Sequence, residues 1–411
     1  LCGYGGGGVG VGVGLGRGRG RGGQAADAAG ELQAGAPAES PGYAFVRPAG
    51  LASRIRNRTR DGPQPRDAVP DRLVASLEAF VDRANARLME NRPGPARETL
   101  MLACLSAFDF LRTATRFGPD YEALGARETT GPRFRLLCLD PAPRLREITS
   151  RFKAAIFFSA SLTPPDFFRE ALGGTPDDTV LRLPSPFPKE NLGLIVATHV
   201  STEYRDPAAS AAAIADLLAG AALARPGTHV AYFPSYEFLR KVREIFLAAH
   251  PAIPAPAQQP AMDDAAKAGF LQLLRTPTPQ APTVAFAVLG GIFAEGIDLP
   301  PGSIAGICIV GVGLPQLSLE RDLIRKRYDA TSHDGFAAAY AFPGFNRVLQ
   351  AAGRLIRSET DAGTVLLIDR RFARDDYRTL FPAHWSHAQP VSSIQGLRQA
   401  VAAFRGPAAR R

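Results

Sequence analysis

The sequence predicts an α/β fold in which a parallel sheet flanked by helices is preceded by a mainly helical partial domain. Three observations carry this. From about residue 150 to 372, short apolar runs alternate with helical patterns, the order expected of βαβ units. Two of those runs, 283–289 and 304–310, are apolar almost without interruption, as strands covered on both faces require. Ahead of them, from about 70 to 125, helical periodicity dominates, as in DRLVASLEAFVDRANARLM and ETLMLACLSAFDFLRTATRF.

Taken in chain order, residues 1–42 are Gly/Ala/Arg-rich and of low complexity, and are expected to be disordered. The helical patterns follow within 43–185, and RFRLLCLDP at 133–141 reads as a strand. In RFKAAIFFSASLTPPDFFREALG, residues 151–173, the apolar run Ala154 to Phe158 reads as a strand ending at the small polar group Ser159, Ala160, Ser161. Thr163, Pro164 and Asp166 then read as a capped helix start. In THVAYFPSYEFLRKVREIF, His229 to Phe233 reads as a buried strand and Tyr236 to Phe246 as an amphipathic helix. Ser235 stands at the switch, where a hydroxyl and free N–H groups can meet a phosphate, although a plain N-cap explains it equally well.

Between the two apolar runs of 283–316, Gly290-Gly291 and Glu295-Gly296-Ile297-Asp298 form a loop whose glycines let backbone approach a ligand closely. By composition alone it is simply a turn. The stretch VLQAAGRLIRS, Val348 to Ser358, read as a helix, puts Val348, Ala352, Leu355 and Ile356 on one side and Gln350, Arg354 and Arg357 opposite. Two permanently charged guanidinium groups one turn apart suit a polyphosphate. The alternative is a solvated surface helix whose arginines pair with Glu359 or Asp361. The second domain is expected over 186–385, with a proline-rich loop at 251–260, followed by a basic tail over 386–411.

The string QAAGRLIRSETDAGTVLLIDRRF, residues 350–372, closely resembles motif VI of the superfamily 2 helicases of the DinG-like and XPD-like type. Residues 151–173 resemble that family's motif III, with Ser161 in place of the usual threonine; 228–246 resemble motif IV and 283–316 motif V, all in the family's order. The resemblance implies that 186–385 is a second RecA-like domain and that 43–185 holds part of the helical Arch insertion and the end of a first RecA-like domain. It implies arginine fingers to ATP at Arg354 and Arg357 with Gln350 beside them, and nucleotide and DNA-backbone contacts at Glu295, Gly296 and Asp298. Coupling and nucleic-acid roles fall to Ser159, Ser161, Ser235 and Gly291. The implied ligands are ATP with Mg²⁺ and single-stranded DNA, and the implied activity is ATP-dependent translocation, 5′ to 3′ in that family, in DNA repair or replication restart.

A phosphate-binding loop requires Gly-Lys-Ser/Thr, because backbone amides cradle the phosphates while lysine and hydroxyl serve the terminal phosphate and Mg²⁺. The lysines are Lys153, Lys189, Lys241, Lys267 and Lys326, and none follows a glycine. No Asp-Glu-x-His precedes motif III. The chain therefore reads as the carboxyl-terminal part of a helicase whose ATP and Mg²⁺ are bound mainly by a missing first domain, and it should hydrolyse ATP poorly alone. The alternative function is a non-catalytic nucleic-acid-binding module that keeps the RecA-like geometry.

Cys2, Cys104, Cys138 and Cys308 are scattered without a Cys-x-x-Cys pair, which suggests neither zinc nor disulfides and does not support the iron-sulfur cluster many relatives carry. No metal site is expected. A net charge of +9 suits a phosphate-rich partner, with RGRGR at 17–21 and RIRNRTR at 54–60 as basic stretches; an arginine-heavy composition from a GC-rich genome explains it equally well. No apolar run approaches the roughly 20 residues of a membrane span, and the leading glycines are no secretory signal. Cytoplasmic residence is the expectation.

Overall fold

In a computed structural model the described residues are 8–12, 64–66, 68–90, 94, 96–128, 131–203, 207–294, 299–331 and 334–404. The chain divides into two compact units.

The first unit comprises residues up to Arg151 together with Ala171–Gly173 and Leu317–Gly335. Its antiparallel sheet has the order β1 (Gly8–Gly12), β4 (Gly131–Cys138), β3 (Tyr121–Glu128), β2 (Gln64–Arg66). On one face lie α1 (Asp71–Met89) and α2 (Arg97–Ala114). Leu73, Leu77, Val81 and Ala84 recur every three or four residues along α1, and they bury with Cys104, Ala107 and Phe110 of α2 against Ala123, Phe134 and Leu136. The other face, through Leu124 and Leu137, meets Leu319, Leu323 and Ile324 of the helix Leu319–Asp329. Arg135 Nη1 to Glu320 Oε1 at 2.7 Å adds an ion pair there. A short helix α3 (Ala142–Thr149) completes the unit.

The helical expectation is met over Asp71–Ala114 and the strand read at 133–141 corresponds to Gly131–Cys138, whereas its strand neighbours in this sheet carried no periodic signal. The disorder expected over 1–42 falls mostly outside the described residues. Where the chain is described, at Gly8–Gly12, it is a strand paired with β4, the backbone ladder needing no side chains.

The second unit is a six-stranded sheet whose order is β10 (Gln389–Val391), β5 (Leu192–Ala197), β9 (Gly363–Ile368), β8 (Gly306–Val310), β6 (Thr228–Phe233), β7 (Thr283–Val288). Every pairing is parallel. Its helices are α4 (Pro165–Ala171), α5 (Pro207–Ala224), α6 (Tyr236–Ala249), α7 (Asp264–Arg275), α8 (Phe342–Ala352) and α9 (Ile394–Ala403). Alternate strand residues bury on opposite faces. Val230, Tyr232, Ile307, Ile309, Val365 and Leu367 pack with Phe270 and Leu274 of α7 and Phe345 and Val348 of α8. Ala231, Phe233, Cys308, Val310, Leu366 and Ile368 pack with Ile214 and Leu218 of α5, Val242 and Phe246 of α6 and Leu397 of α9. Both faces are covered, which is why these strands read as unbroken apolar runs.

One expected strand is absent. Ala154 to Phe158 forms no strand, and Ile156 and Phe158 are 86% and 75% exposed. A strand forms only where a neighbour takes its N–H and C=O groups. Neither sheet pairs with this run. No helix of the described residues is long and apolar enough to cross a membrane.

Candidate functional site

The carboxyl ends of the parallel strands form one edge, where loops can gather a ligand. Ser235 leaves β6 with extended backbone (φ −156°, ψ 157°), and its Oγ accepts the Phe238 N–H at 3.2 Å. It is thus the N-cap of α6. Leu289, just past β7, donates its N–H to Phe233 O at 2.8 Å, and Gly291 N–H closes a turn onto Val288 O at 3.2 Å. Ser235 and Gly291 therefore lie in adjoining turns at one edge. Gly290 between them has φ +75°, the left-handed region that glycine tolerates.

Gln258 holds these two turns together. The segment from Pro254 runs along β7, with Val284 N–H to Pro254 O at 3.0 Å, Phe286 N–H to Pro256 O at 2.8 Å and Gln258 N–H to Phe286 O at 2.8 Å. At its end the Gln258 side chain, 4% exposed, accepts the Val288 N–H on Oε1 at 2.9 Å and donates Nε2–H to the Tyr236 hydroxyl at 2.8 Å. The proline-rich stretch expected to be a plain loop is thus a strap on the sheet edge.

Further along the same edge, after β9, Asp369 is 0% exposed. It accepts Arg371 Nε and Nη2 at 2.9 Å each, and the Thr202 N–H at 3.0 Å. Burial works to raise the Asp369 carboxyl, but the Arg371 guanidinium and Thr202 outweigh it and hold it below the usual carboxylate range. Beside this pair, Arg370 binds Glu203. The sequence signalled this cluster only as the Asp-Arg-Arg that trails motif VI, and gave Thr202 and Gln258 no signal at all.

The arginine segment departs from its expected shape. The helix read over Val348 to Ser358 ends at Ala352, with Gly353 as C-cap. Past it, the buried Asp361 carboxylate accepts N–H groups of the loop, Arg357 at 2.9 Å and Ser358 at 2.8 Å, and, on its other oxygen, Gly302 N–H at 3.2 Å. A loop with its own capping carboxylate is favoured over further helix. Arg354 and Arg357 are accordingly not one turn apart on a helix.

Gln350 remains on α8 and exposed. Arg354 donates Nε–H to Ala294 O at 3.3 Å, immediately before residues 295–298. Beneath it, Tyr232 donates its hydroxyl to Phe293 O at 2.8 Å; burial pushes that phenol up, against the lowering influence of Arg354. Arg357 lies in the loop that enters β9, and lines a cavity of about 430 Å³ with Arg275, Pro300, Pro301 and Ser358. It thus belongs to the amino-end side of the sheet, opposite to the Ser235 edge.

Glu295, Gly296 and Asp298 lie outside the described residues. Ser159 and Ser161 are joined to each other, with Ser161 N–H donating to Ser159 Oγ at 3.2 Å. Among the described residues no hydrogen bond joins them to Ser235, Gly291 or Arg354.

The parallel sheet and the arginine-bearing segment between α8 and β9 lie largely in a stretch that is similar to helicase domains. Residues 219–388 match the family model described as the helicase C-terminal domain. The chain is 23% identical over 290 residues to the ATP-dependent DNA helicase chl-1 of Caenorhabditis elegans, covering 66% of this chain and 34% of that protein. It is 23% identical over 287 residues to the XPD helicase subunit of general transcription and DNA repair factor IIH of Schizosaccharomyces pombe, covering 61% and 34%. The chain therefore spans about a third of the length of the curated relatives it matches, at 34% of each. Among solved structures, an XPD helicase superposes with a TM-score of 0.52 at 16% identity, over 83% of this chain and 60% of the other. Xpd4 of S. tokodaii superposes with a TM-score of 0.53 at 15% identity, over 83% and 64%. At that identity the likeness shows the fold.

Proposed function

We propose that this chain is the carboxyl-terminal part of an ATP-dependent DNA helicase that couples ATP hydrolysis to translocation on single-stranded DNA. The observation that carries the reading is the bond from Arg354 to Ala294 O, which ties the arginine segment to the loop leaving β7. A charge that responds to the γ-phosphoryl group is thereby linked mechanically to a turn that adjoins Ser235. Arg354 and Arg357 stabilise the developing phosphoryl charge, while Gln350 stands on the exposed face of α8 beside them. Ser235, Gly291 and the segment 295–298 take the DNA backbone, with Ser159 and Ser161 in the coupling segment.

Among the described residues no acidic or histidine cluster fits a Mg²⁺ site: the loop near Arg357 brings a second arginine, Arg275, and none of the five lysines of the sequence follows a glycine. ATP and Mg²⁺ are held instead by a first RecA-like domain, supplied by the same polypeptide or by a partner. The second reading, a non-catalytic nucleic-acid-binding module, draws support from the end of the helix at Ala352, which takes the two arginines off a common face. Combining the chain with a first helicase domain that carries Gly-Lys-Thr and Asp-Glu-x-His separates the two. Hydrolysis stimulated by single-stranded DNA and lost in Arg354→Ala supports the helicase; DNA binding without any turnover supports the module.

A further inference from the structure

Arg347 lies on α8 one turn before Gln350, on the side away from Phe345 and Val348 of the core. It is half-buried, and its side chain lies over the turn at Gly290: a Cβ built there would stand 3.3 Å from Nε and 3.4 Å from Cδ and Cζ. Four other half-buried arginines of this unit each have an acceptor for at least one nitrogen, although Nε of Arg225 is left without one. Arg225 donates to Ala362 O at 3.2 Å, Arg243 to Ala255 O at 2.7 Å, Arg354 to Ala294 O at 3.3 Å and Arg371 to Asp369 at 2.9 Å. Arg347 alone of this group makes no hydrogen bond or ion pair among the described residues. A half-exposed guanidinium with no protein acceptor leaves its donors to solvent or to a ligand.

The place of this cation identifies the ligand chemistry. Gly290 and Gly291 turn out of β7 next to the turn that carries Ser235, so guanidinium, hydroxyl and a side-chain-free stretch of backbone share one edge. A tetrahedral anion approaches glycine backbone closely and takes paired bonds from a guanidinium. A net charge of +9 favours a polyanion over a single small anion. We propose that Arg347 binds a backbone phosphate of single-stranded nucleic acid at the carboxyl edge of the sheet, with Gly290 kept free of a side chain to seat the guanidinium. The inference rests on the nucleic-acid reading above and adds to it a residue that the motif resemblance does not contain.

The test is fluorescence anisotropy of the full chain with a labelled oligothymidylate of about 20 nucleotides over a series of salt concentrations, for the parent, Arg347→Gln, Arg347→Lys and, as a charge control, Arg72→Gln on exposed α1. Arg347→Gln should bind about tenfold more weakly, with the slope of log K against log salt reduced by about 0.7, the value for one phosphate contact on a single strand. Arg347→Lys should keep the parent slope at reduced affinity, because a point charge replaces a planar fork. Arg72→Gln should match the parent. If Arg347→Gln proves unfolded, a weaker Arg347→Lys with parent melting temperature still supports the assignment, and an unweakened one overturns it. Parent-like affinity and slope in Arg347→Gln, or an equal loss in Arg72→Gln, overturns the role of Arg347 alone. A parent that does not bind the oligonucleotide overturns the nucleic-acid reading and this inference together.

Discussion

Asp369 and Arg371 form a two-pronged pair at the carboxyl end of β9, Nε to Oδ1 and Nη2 to Oδ2, both at 2.9 Å. The carboxylate is fully buried and the arginine side chain is 13% exposed. Removing one partner leaves the other as an uncompensated buried charge. Asp369→Ala should therefore lower stability by about 3–5 kcal/mol, read as a shifted urea midpoint. Because the folded carboxyl is held below the ordinary value, the stability it contributes is fully present above the unfolded pKa of about 3.9 and is lost as pH falls below it. The variant should lack that part of the acid dependence.

His229 gives the chain a second loss of stability on acidification, in a higher pH window. It is fully buried, its Nε2 lies 2.8 Å from Arg225 O, and its Nδ1 has no partner. Burial holds its pKa down at about 4, against 6.5 for the free side chain, so the folded state resists protonation. The unfolded chain binds the proton first. Stability is complete above pH about 6.5 and falls as pH drops towards 4, by roughly 2 kcal/mol at pH 5. Denaturant unfolding at pH 7.5 and pH 5 should show this loss, and His229→Leu should remove it.

Gln258→Leu should free the Tyr236 hydroxyl and the Val288 N–H from their shared partner, at a loss of about 1–3 kcal/mol. Hydrogen exchange at the Val288 amide should quicken while the amides of β5, across the sheet, stay protected. An unchanged Val288 rate would mean that the strap does not fix this edge.

Much of this fold was legible in the sequence, for a physical reason visible in particular elements. The runs at Thr283–Val288 and Gly306–Val310 are apolar because both faces of their sheet are covered, and that state leaves an unmistakable pattern. Ala154 to Phe158 has the same composition and is no strand, since strand formation is decided by a neighbour that local sequence cannot announce. Tyr121–Glu128 is a strand with little of the pattern, held between β2 and β4. The arginine segment kept helical periodicity through Arg357, but the helix stops at Ala352 because Asp361 captures the N–H groups of Arg357, Ser358 and the distant Gly302. Gln258 and Arg347 were invisible for a related reason: each acts on a turn far away in sequence.

Gly290→Ala should be destabilising by about 1–2 kcal/mol from its left-handed backbone alone, and should also press on Arg347, whose Nε would stand 3.3 Å from the new Cβ. Thermal melting measures the first effect. Oligonucleotide binding measured at a temperature where the variant is fully folded reads the second, with weaker binding expected.

The central claim is that the arginines after α8 act on a nucleotide. Its most direct test is steady-state ATP hydrolysis, with single-stranded DNA present, by the chain joined to a first helicase domain carrying Gly-Lys-Thr. The account predicts that Arg354→Ala and Arg357→Ala each lower kcat by about 10³-fold, the scale of an arginine finger, with DNA binding retained. Turnover equal to the parent in both variants would contradict it.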